Sequence, residues 1–270
     1  MSYPEWIMNN GDDLQVSLFF ALLVLLAAGE MLLPRRPGNL DDRWTRWKAN
    51  LALTFVNFVA LGFIPLSLIS AAAWAKTHGW GLLNLIDLPL ALTIVVTLLL
   101  RGFISFFTHY LFHKIPLFWR VHRIHHLDTE LDVTTTVRFH PLEFWIGLLP
   151  GVPLVLFLGL DPWILMTYEL LDVIVTLWTH SNVRIPLPFE SFLRYVVVTP
   201  DLHRVHHSTR MEETDSNYGA VFPFWDLVFG TFKAAPVSGQ DRLRIGLDEV
   251  RGRDAHRPVW LLRSIFDPQL

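Results

Sequence analysis

The sequence predicts an all-α integral membrane protein with about five transmembrane helices and a cytoplasmic, histidine-rich helical cap. Three observations support this prediction. Hydrophobic residues make up 52% of the 270 residues and charged residues only 17%, which is apolar for a soluble domain. Several apolar stretches approach the ~20 residues that a spanning helix needs. Ten of the twelve histidines lie between residues 109 and 207.

The apolar stretches are the predicted spans, and they cover residues 14–33, 51–75, 88–112, 142–160 and 163–178. The fourth contains Pro150, Gly151 and Pro153, so we expect it to be kinked. The fifth is short and carries two acidic residues. Only Gly-Leu-Asp-Pro joins the last two stretches, which therefore form a helical hairpin.

The basic residues of the loops predict the orientation of these spans. Lys and Arg are concentrated in the segments 34–48 and 113–141 and in the chain after His180, whereas residues 1–13 have none and residues 76–87 have only Lys76. Five spans with an external N-terminus place all three basic segments in the cytoplasm. We therefore expect an integral protein of a bacterial cytoplasmic membrane, with its histidines on the cytoplasmic side.

The chain divides into three predicted regions. Residues 1–100 form N-terminal transmembrane helices, residues 101–235 form a di-metal core that includes the cap, and residues 236–270 form a C-terminal tail. The absence of cysteine excludes thiolate metal sites and disulfides. A net charge of −3 gives no general attraction to nucleic acid, so no nucleic-acid partner is expected. The N-terminus lacks the basic region and cleavage site of a signal peptide.

Three histidine motifs predict a metal centre. They are HYLFH (His109, His113), HRIHH (His122, His125, His126) and HRVHH (His203, His206, His207). Residues at i, i+3 and i+4 share a helix face, and neutral imidazole is the commonest side-chain metal ligand. Eight imidazoles exceed the needs of one ion, so we expect two. His180 is a ninth candidate ligand, and His140 is either a ligand or a hydrogen-bonding partner of one, beside Glu143.

Ligand type and number favour two iron ions with open positions for dioxygen. The HExxH motif of zinc proteases is absent. Ligand softness alone leaves zinc and copper open, and zinc is expected to replace iron in some preparations because it binds such sites more tightly than ferrous iron.

These motifs resemble the fatty acid hydroxylase / sterol desaturase superfamily. The similarity also includes RFHPLE, THSNVRIP and NYGAVFPFWDLVFGTF, and it covers about residues 100–232. Histidine motifs in this order are highly specific for this superfamily when Trp225-Asp226 and Gly230-Thr231 follow them.

The resemblance implies a membrane-bound di-iron oxygenase that hydroxylates or desaturates a fatty acyl, sterol or related lipid. It implies dioxygen as a substrate and a separate electron-donor protein, since no cytochrome domain is fused. It assigns the eight motif histidines as ligands and matches His180 to an additional family histidine. Some members carry a further histidine where this chain has Thr176, which leaves the ligand set open there.

Three charged residues lie within the predicted spans. Arg101 precedes His109 by eight residues, and Asp172 precedes His180 by eight, so both charges should lie ~12 Å from those histidines. Because an unpaired charge in a bilayer is costly, we predict an ion pair of Arg101 with Asp172 or Glu169. Residues 186–198 should lie at the membrane interface, and the substrate should enter from the bilayer. A transport-type or non-catalytic metal-binding membrane protein is the alternative function.

Overall fold

The structure, a computed structural model, describes residues 1–38 and 40–267. Within these residues the chain forms α-helices and three short 3₁₀ turns, and no β-strand. The helices are α1 (Tyr3–Leu32), α2 (Leu40–Leu61), α3 (Leu68–Thr77), α4 (Leu90–Lys114), α5 (Pro116–His126), α6 (Leu142–Leu158), α7 (Pro162–His180), α8 (Leu187–Leu193), α9 (Pro200–His206), α10 (Met211–Thr214), α11 (Phe224–Phe229) and α12 (Pro258–Ser264). The all-α prediction is therefore confirmed.

Two of the described helices are long and apolar enough to cross a membrane. They are α1, with 30 residues, and α4, with 25 residues, while α6 is apolar but only 17 residues long. By length and composition the structure thus supports two spans instead of about five. The shortfall at α7 has a clear origin, because Glu169 and Asp172 lower its hydropathy.

The predicted second span is divided into two helices. Helix α2 ends at Leu61 and α3 begins at Leu68, so a continuous helix over residues 51–75 is wrong. Pro65 lacks the backbone N–H that a helix interior requires. Ser67 then starts a new helix with a capping box, in which it exchanges side-chain to backbone hydrogen bonds with Ser70.

Helices α1 and α7 pack side by side and run in the same direction. Ile7 near the start of α1 packs with Met166 and Leu170 near the start of α7. Gly11 allows this close approach, because a Cβ there would lie 2.6 Å from the Met166 side chain. At the other end, Glu30 Oε1 accepts a hydrogen bond from the backbone N–H of Asn182 at 2.7 Å. Both helices therefore end on the same side of the molecule.

Helix α6 packs antiparallel to α4. Its N-terminal side chain Glu143 contacts His122, close to the C-terminal end of α4. Its C-terminal end packs at Gly159 against the backbone of Gly81, and Ile104 of α4 shares a core cluster with Val155. The ends of α1, α4 and α7 and the start of α6 therefore lie together, and we call this the histidine end of the bundle.

A buried polar cluster fixes α2 to the segment after α5. Arg46 binds the carboxylates of Asp128 at 2.5 Å and Asp132 at 2.8 Å. Asp128 also accepts hydrogen bonds from Asn50 and Thr135. Because Asp128 lies two residues after His126, this cluster holds the end of the histidine-bearing helix α5 in place.

The predicted C-terminal tail is packed against the rest of the molecule over much of its length. Leu243 and Ile245 form a core cluster with Leu131, and Leu261 packs with Ile124 of α5. Residues 268–270 of this region lie outside the described residues. The C-terminal segment therefore covers the outer face of α5.

Candidate metal centre

Nine histidines meet at the histidine end of the bundle and form two groups. The first group consists of His109, His113, His122, His126 and His206, and the second consists of His125, His180, His203 and His207. Within each group, one potential ligand atom per residue lies within 4.8 Å of all the others. Each group could therefore hold a metal ion. These nine residues are the ones that the sequence analysis selected.

Both HxxHH motifs contribute to both groups. In α5, His122 and His126 belong to the first group, whereas His125 belongs to the second. Around α9 the division is reversed, because His206 belongs to the first group while the i, i+4 pair His203 and His207 belongs to the second. The two groups are in contact, since the rings of His126 and His207 stack with centroids 4.5 Å apart.

The spacing of the ring nitrogens suits metal coordination. In the second group, Nε2 of His180 lies 3.1 Å from Nε2 of His125 and 3.0 Å from Nε2 of His203, which in turn lies 3.1 Å from Nε2 of His207. With metal–nitrogen bonds of about 2.0–2.1 Å, two ligands at a right angle are about 3.0 Å apart. The group is thus the size of a coordination sphere.

Hydrogen bonds fix the tautomers of key rings in the first group. His109 Nδ1 lies 2.9 Å from the carbonyl oxygen of Tyr218, and His122 Nδ1 lies 2.7 Å from Glu143 Oε1. Both partners only accept, so each Nδ1 carries the hydrogen and each neutral ring has its lone pair on Nε2. These two Nε2 atoms are 3.2 Å apart. Two facing lone pairs repel each other, and a cation between them removes that repulsion.

Two further histidines are oriented in the same way. His180 Nδ1 donates to the carbonyl of Thr176, and His206 Nδ1 donates to the carbonyl of Ser216, each at 2.7 Å. A second hydrogen bond of this kind sets the ring orientation of a metal-binding histidine and raises its basicity. Thr176 therefore supports His180 through its backbone carbonyl.

Five histidines of the two groups that lie outside the predicted spans are held neutral. Burial, with the neighbouring imidazoles, keeps the pKa of His125, His126, His203 and His207 well below its usual value. Burial lowers the pKa of His206 to about 3. Neutral imidazole is the form that binds metal, so the site is electrostatically suited to cations.

His140 lies in neither group. Its Nδ1 accepts a hydrogen bond from the backbone N–H of Leu142 at 3.1 Å. The hydrogen bond to a histidine of the centre is made instead by Glu143, three residues later in the same motif. The structure therefore gives His140 a role in the turn that begins α6.

Arg101 and Glu169 form an ion pair below the histidines, where Arg101 Nε lies 2.7 Å from Glu169 Oε1. The guanidinium also lies over the ring of Tyr168, 4.9 Å from its centroid. The pair joins α4 to α7, the two helices whose last turns carry His113 and His180.

A cavity of about 340 Å³ opens directly onto both histidine groups, and we call it the histidine cavity. Its walls are mainly apolar and include Ile104, Phe112, Phe144 and Leu148, and Arg101 lies at its far end. An apolar ligand in this cavity would therefore lie directly beside the histidines.

The order of the motifs on this scaffold agrees with a known family, since the family model described as fatty acid hydroxylase matches residues 94–231. The chain belongs to the fatty acid hydroxylase family. Human alkylglycerol monooxygenase is 28% identical over 221 residues, which is 80% of this chain and 46% of that protein. Ornithine lipid hydroxylase OlsE of Rhizobium tropici is 33% identical over 149 residues, 55% of this chain and 44% of that protein.

Human lathosterol oxidase is a more distant relative within the fatty acid hydroxylase family, 23% identical over 237 residues, 84% of this chain and 74% of that protein. The chain spans less than half the length of the first two relatives. No solved structure gives a significant match. The family is known for iron use.

Two residues of this fatty acid hydroxylase site were missed in the sequence. Glu143 was noted only as a neighbour of His140. Asp226 was noted only as part of a motif, yet its carboxylate accepts hydrogen bonds from the backbone N–H groups of Tyr218 and Gly219, each at 2.8 Å. It thereby positions the Tyr218 carbonyl that orients His109. Both residues lie within segments that resemble the family, and this was the available signal.

Proposed function

We propose that this protein is a membrane-bound oxygenase that uses two iron ions and dioxygen to hydroxylate or desaturate a lipid. One observation carries the proposal: two groups of buried imidazoles, with lone pairs directed at common points, line an apolar cavity. The relatives named alkylglycerol monooxygenase, ornithine lipid hydroxylase and lathosterol oxidase support a lipid substrate.

The nine grouped histidines would hold the metal, with His109, His113, His122, His126 and His206 at one ion and His125, His180, His203 and His207 at the other. Bound iron supplies the activation of dioxygen that an unactivated C–H bond requires. Hydroxylation consumes one dioxygen, two electrons and two protons and releases one water. The protein's own part is to orient the imidazoles through Glu143 and nearby carbonyls and to exclude water with apolar walls.

We further propose that the chain crosses the membrane five times. Helices α1, α4 and α7 would cross in one direction, and α6 and the α2–α3 pair in the other. The directions of α1, α6 and α7 support this arrangement, as does the concentration of Arg and Lys in the segments next to the histidine end. The histidine end would then face the cytoplasm, and the N-terminus would lie outside.

The three regions of the chain would have different roles. Residues 1–100 would supply membrane helices, residues 101–235 would carry the metal centre, and residues 236–270 would cover α5. Helix α8 exposes Leu187, Phe189 and Phe192, which suits the predicted location at the membrane interface. The substrate would enter from the bilayer, and a separate protein would supply electrons.

The test combines metal analysis with product detection. Protein purified without chelators should contain two metal ions per chain by elemental analysis. Lipid extracts of cells that express it should contain a species heavier by one oxygen or lighter by two hydrogens, absent from cells that express the His125→Ala variant. Purified protein with one ion or none, or identical lipid profiles in the two cultures, would rule the proposal out.

A further inference from the structure

A second cavity, of about 600 Å³, lies between α1, α2 and α7. It shares Phe139, Phe144 and Thr176 with the wall of the histidine cavity. The rings of Phe139 and Phe144 meet edge to face with centroids 6.2 Å apart, so two aromatic side chains separate the two spaces. Because Glu169 and Asp172 line the second cavity, we call it the acidic cavity.

The basic and acidic side chains between the two cavities lie on opposite sides. Arg101 lines the histidine cavity, and the carboxylates of Glu169 and Asp172 line the acidic cavity. Glu169 is paired with Arg101 Nε, so Asp172 has to share the charge of the same guanidinium. One guanidinium faces two carboxyl groups, so the acidic cavity is lined by one more acidic group than Arg101 can pair with.

Hydrogen-bond acceptors also exceed donors around the acidic cavity. Three buried acceptor-capable atoms have no hydrogen-bond partner among the described residues, namely Asp172 Oδ1, Asn57 Oδ1 and Thr136 Oγ1. Asn57 directs its amide nitrogen to the carbonyl of Phe139, which leaves its oxygen unused.

Two of the potential donors nearby are engaged, since the hydroxyls of Thr54 and Thr176 already donate to backbone carbonyls. The Thr136 hydroxyl and the Gln15 amide can each donate as well as accept, whereas Asp172 Oδ1 and Asn57 Oδ1 have no donor. A ligand that fits this wall brings N–H groups to these oxygens and a positive charge to the second carboxyl group. A primary ammonium supplies three donors and no acceptor.

We propose that the acidic cavity binds the protonated primary amine of the lipid on which the enzyme acts. The statement that the bound lipid is the enzyme's substrate rests on the proposed function. Binding of an amine in the acidic cavity does not depend on it. An ammonium is disfavoured in the histidine cavity, because Arg101 repels it and metal ions held by the histidines would repel it as well. The charged group therefore anchors in the acidic cavity, and the rest of the molecule passes Phe139 and Phe144 towards the histidines.

The helix geometry sets a distance for this binding mode. Asp172 precedes His180 by eight residues of α7, a rise of about 12 Å. The reacting carbon should therefore lie roughly that far from the amine nitrogen along the substrate.

A series of single-chain probes tests the inference on the wild-type protein. Dodecylamine carries a charge and N–H donors, dodecyltrimethylammonium carries only the charge, and dodecanol carries a single donor and no charge. Calorimetric titration in a neutral detergent should give the tightest binding for dodecylamine, by about 10-fold or more over the other two. Equal affinity for the three probes would refute the inference, since it would mean that only the alkyl chain is recognised.

Variants locate the binding site. Asp172→Asn should weaken dodecylamine binding by about 10-fold or more, and Thr136→Val should weaken it by less. Glu212→Gln removes an exposed carboxylate outside both cavities and should leave amine affinity unchanged, which controls for the general effect of removing an acidic group. Amine affinity that survives both cavity substitutions would exclude the acidic cavity as the site.

The inference and the proposed function can fail separately. If dodecylamine binds as predicted but no lipid is oxidised, the amine site stands and the oxygenase proposal fails. If the protein oxidises a lipid without an amine as fast as one with an amine, and Asp172→Asn keeps that rate, the oxygenase proposal stands and the amine inference fails.

Discussion

Glu143 Oε1 lies 2.7 Å from His122 Nδ1, and this contact fixes which nitrogen of His122 faces the first histidine group. Glu143→Ala should lower turnover or metal affinity by about 10–100-fold, the usual cost of losing such a partner. Glu143→Gln keeps an acceptor and should be milder. Metal content and product formation measure the effect, with the exposed Glu212→Gln as control. Wild-type values for Glu143→Ala would show that the contact is incidental.

The histidine groups can be tested by substitutions that differ only in position. His125→Ala and His206→Ala should each reduce metal content and abolish turnover, because each removes a member of one group. His140→Ala should retain both ions, since His140 lies outside both groups. Elemental analysis of the three variants measures this. Loss of an ion from the His140 variant would show that the ligand set is larger than the two groups.

Asp226 should be important for stability as well as for the site. It accepts hydrogen bonds from two backbone N–H groups and from Thr231 Oγ1. Asp226→Ala would leave those donors unsatisfied, at about 1–3 kcal/mol for each buried group. Thr231→Val removes one contact and should cost less. Unfolding in detergent measures both, and a smaller loss for Asp226→Ala than for Thr231→Val would contradict this account.

The Arg46–Asp128 pair predicts a dependence of stability on pH. Burial by itself raises the pKa of Asp128, but the charges of Arg46 and Arg138 and the hydrogen bonds outweigh it and hold that pKa below its usual value. A lowered pKa in the folded state stabilises the protein above the unfolded value of about 3.9, and this contribution is lost as the pH falls further.

When the pH is lowered from 6 to 3, the free energy of unfolding should therefore fall more for the wild-type protein than for Asp128→Asn. At pH 6 the variant should be less stable by about 3–5 kcal/mol, because it leaves Arg46 incompletely paired. Parallel pH profiles for the two proteins would show that another group causes the acid sensitivity.

The Arg101–Glu169 pair should respond non-additively to substitution. Arg101→Leu leaves the carboxyl groups of both Glu169 and Asp172 without a cation, whereas the addition of Glu169→Gln removes one of these two acidic groups. We expect a lower folded yield for the single variant than for the double variant, measured by size-exclusion chromatography in detergent. Equal yields would mean that the pair contributes little to folding.

The sequence predicted the grouping of the histidines better than the lengths of the membrane helices. Histidine spacing on a helix depends on local geometry, so HRIHH and HRVHH could be placed correctly without knowledge of packing. The assignment of His125 and His206 to opposite groups could not be predicted, because it depends on how α5 and α9 face each other. The break between α2 and α3 was missed because Gly62–Ser67 is almost as apolar as its flanks, although Pro65 was visible.

Long-range polar contacts were the least predictable part. Glu30 receives hydrogen bonds from the backbone of Val133 and Asn182, residues more than a hundred positions away in the sequence. The pattern of α1 alone shows only an acidic residue near the end of an apolar helix. What that residue binds depends on the parallel packing of α1 and α7, which no local signal encodes.

The shared use of each HxxHH segment by both histidine groups affects how the protein acquires metal. Ordering the turn of α5 that presents His122 and His126 also orders His125, and ordering His206 also orders His203 and His207. The first ion to bind thus meets part of the conformational entropy cost of the second. We expect uptake by the apoprotein to be cooperative, with half-loaded molecules rare, so limiting metal should yield a mixture of empty and fully loaded enzyme.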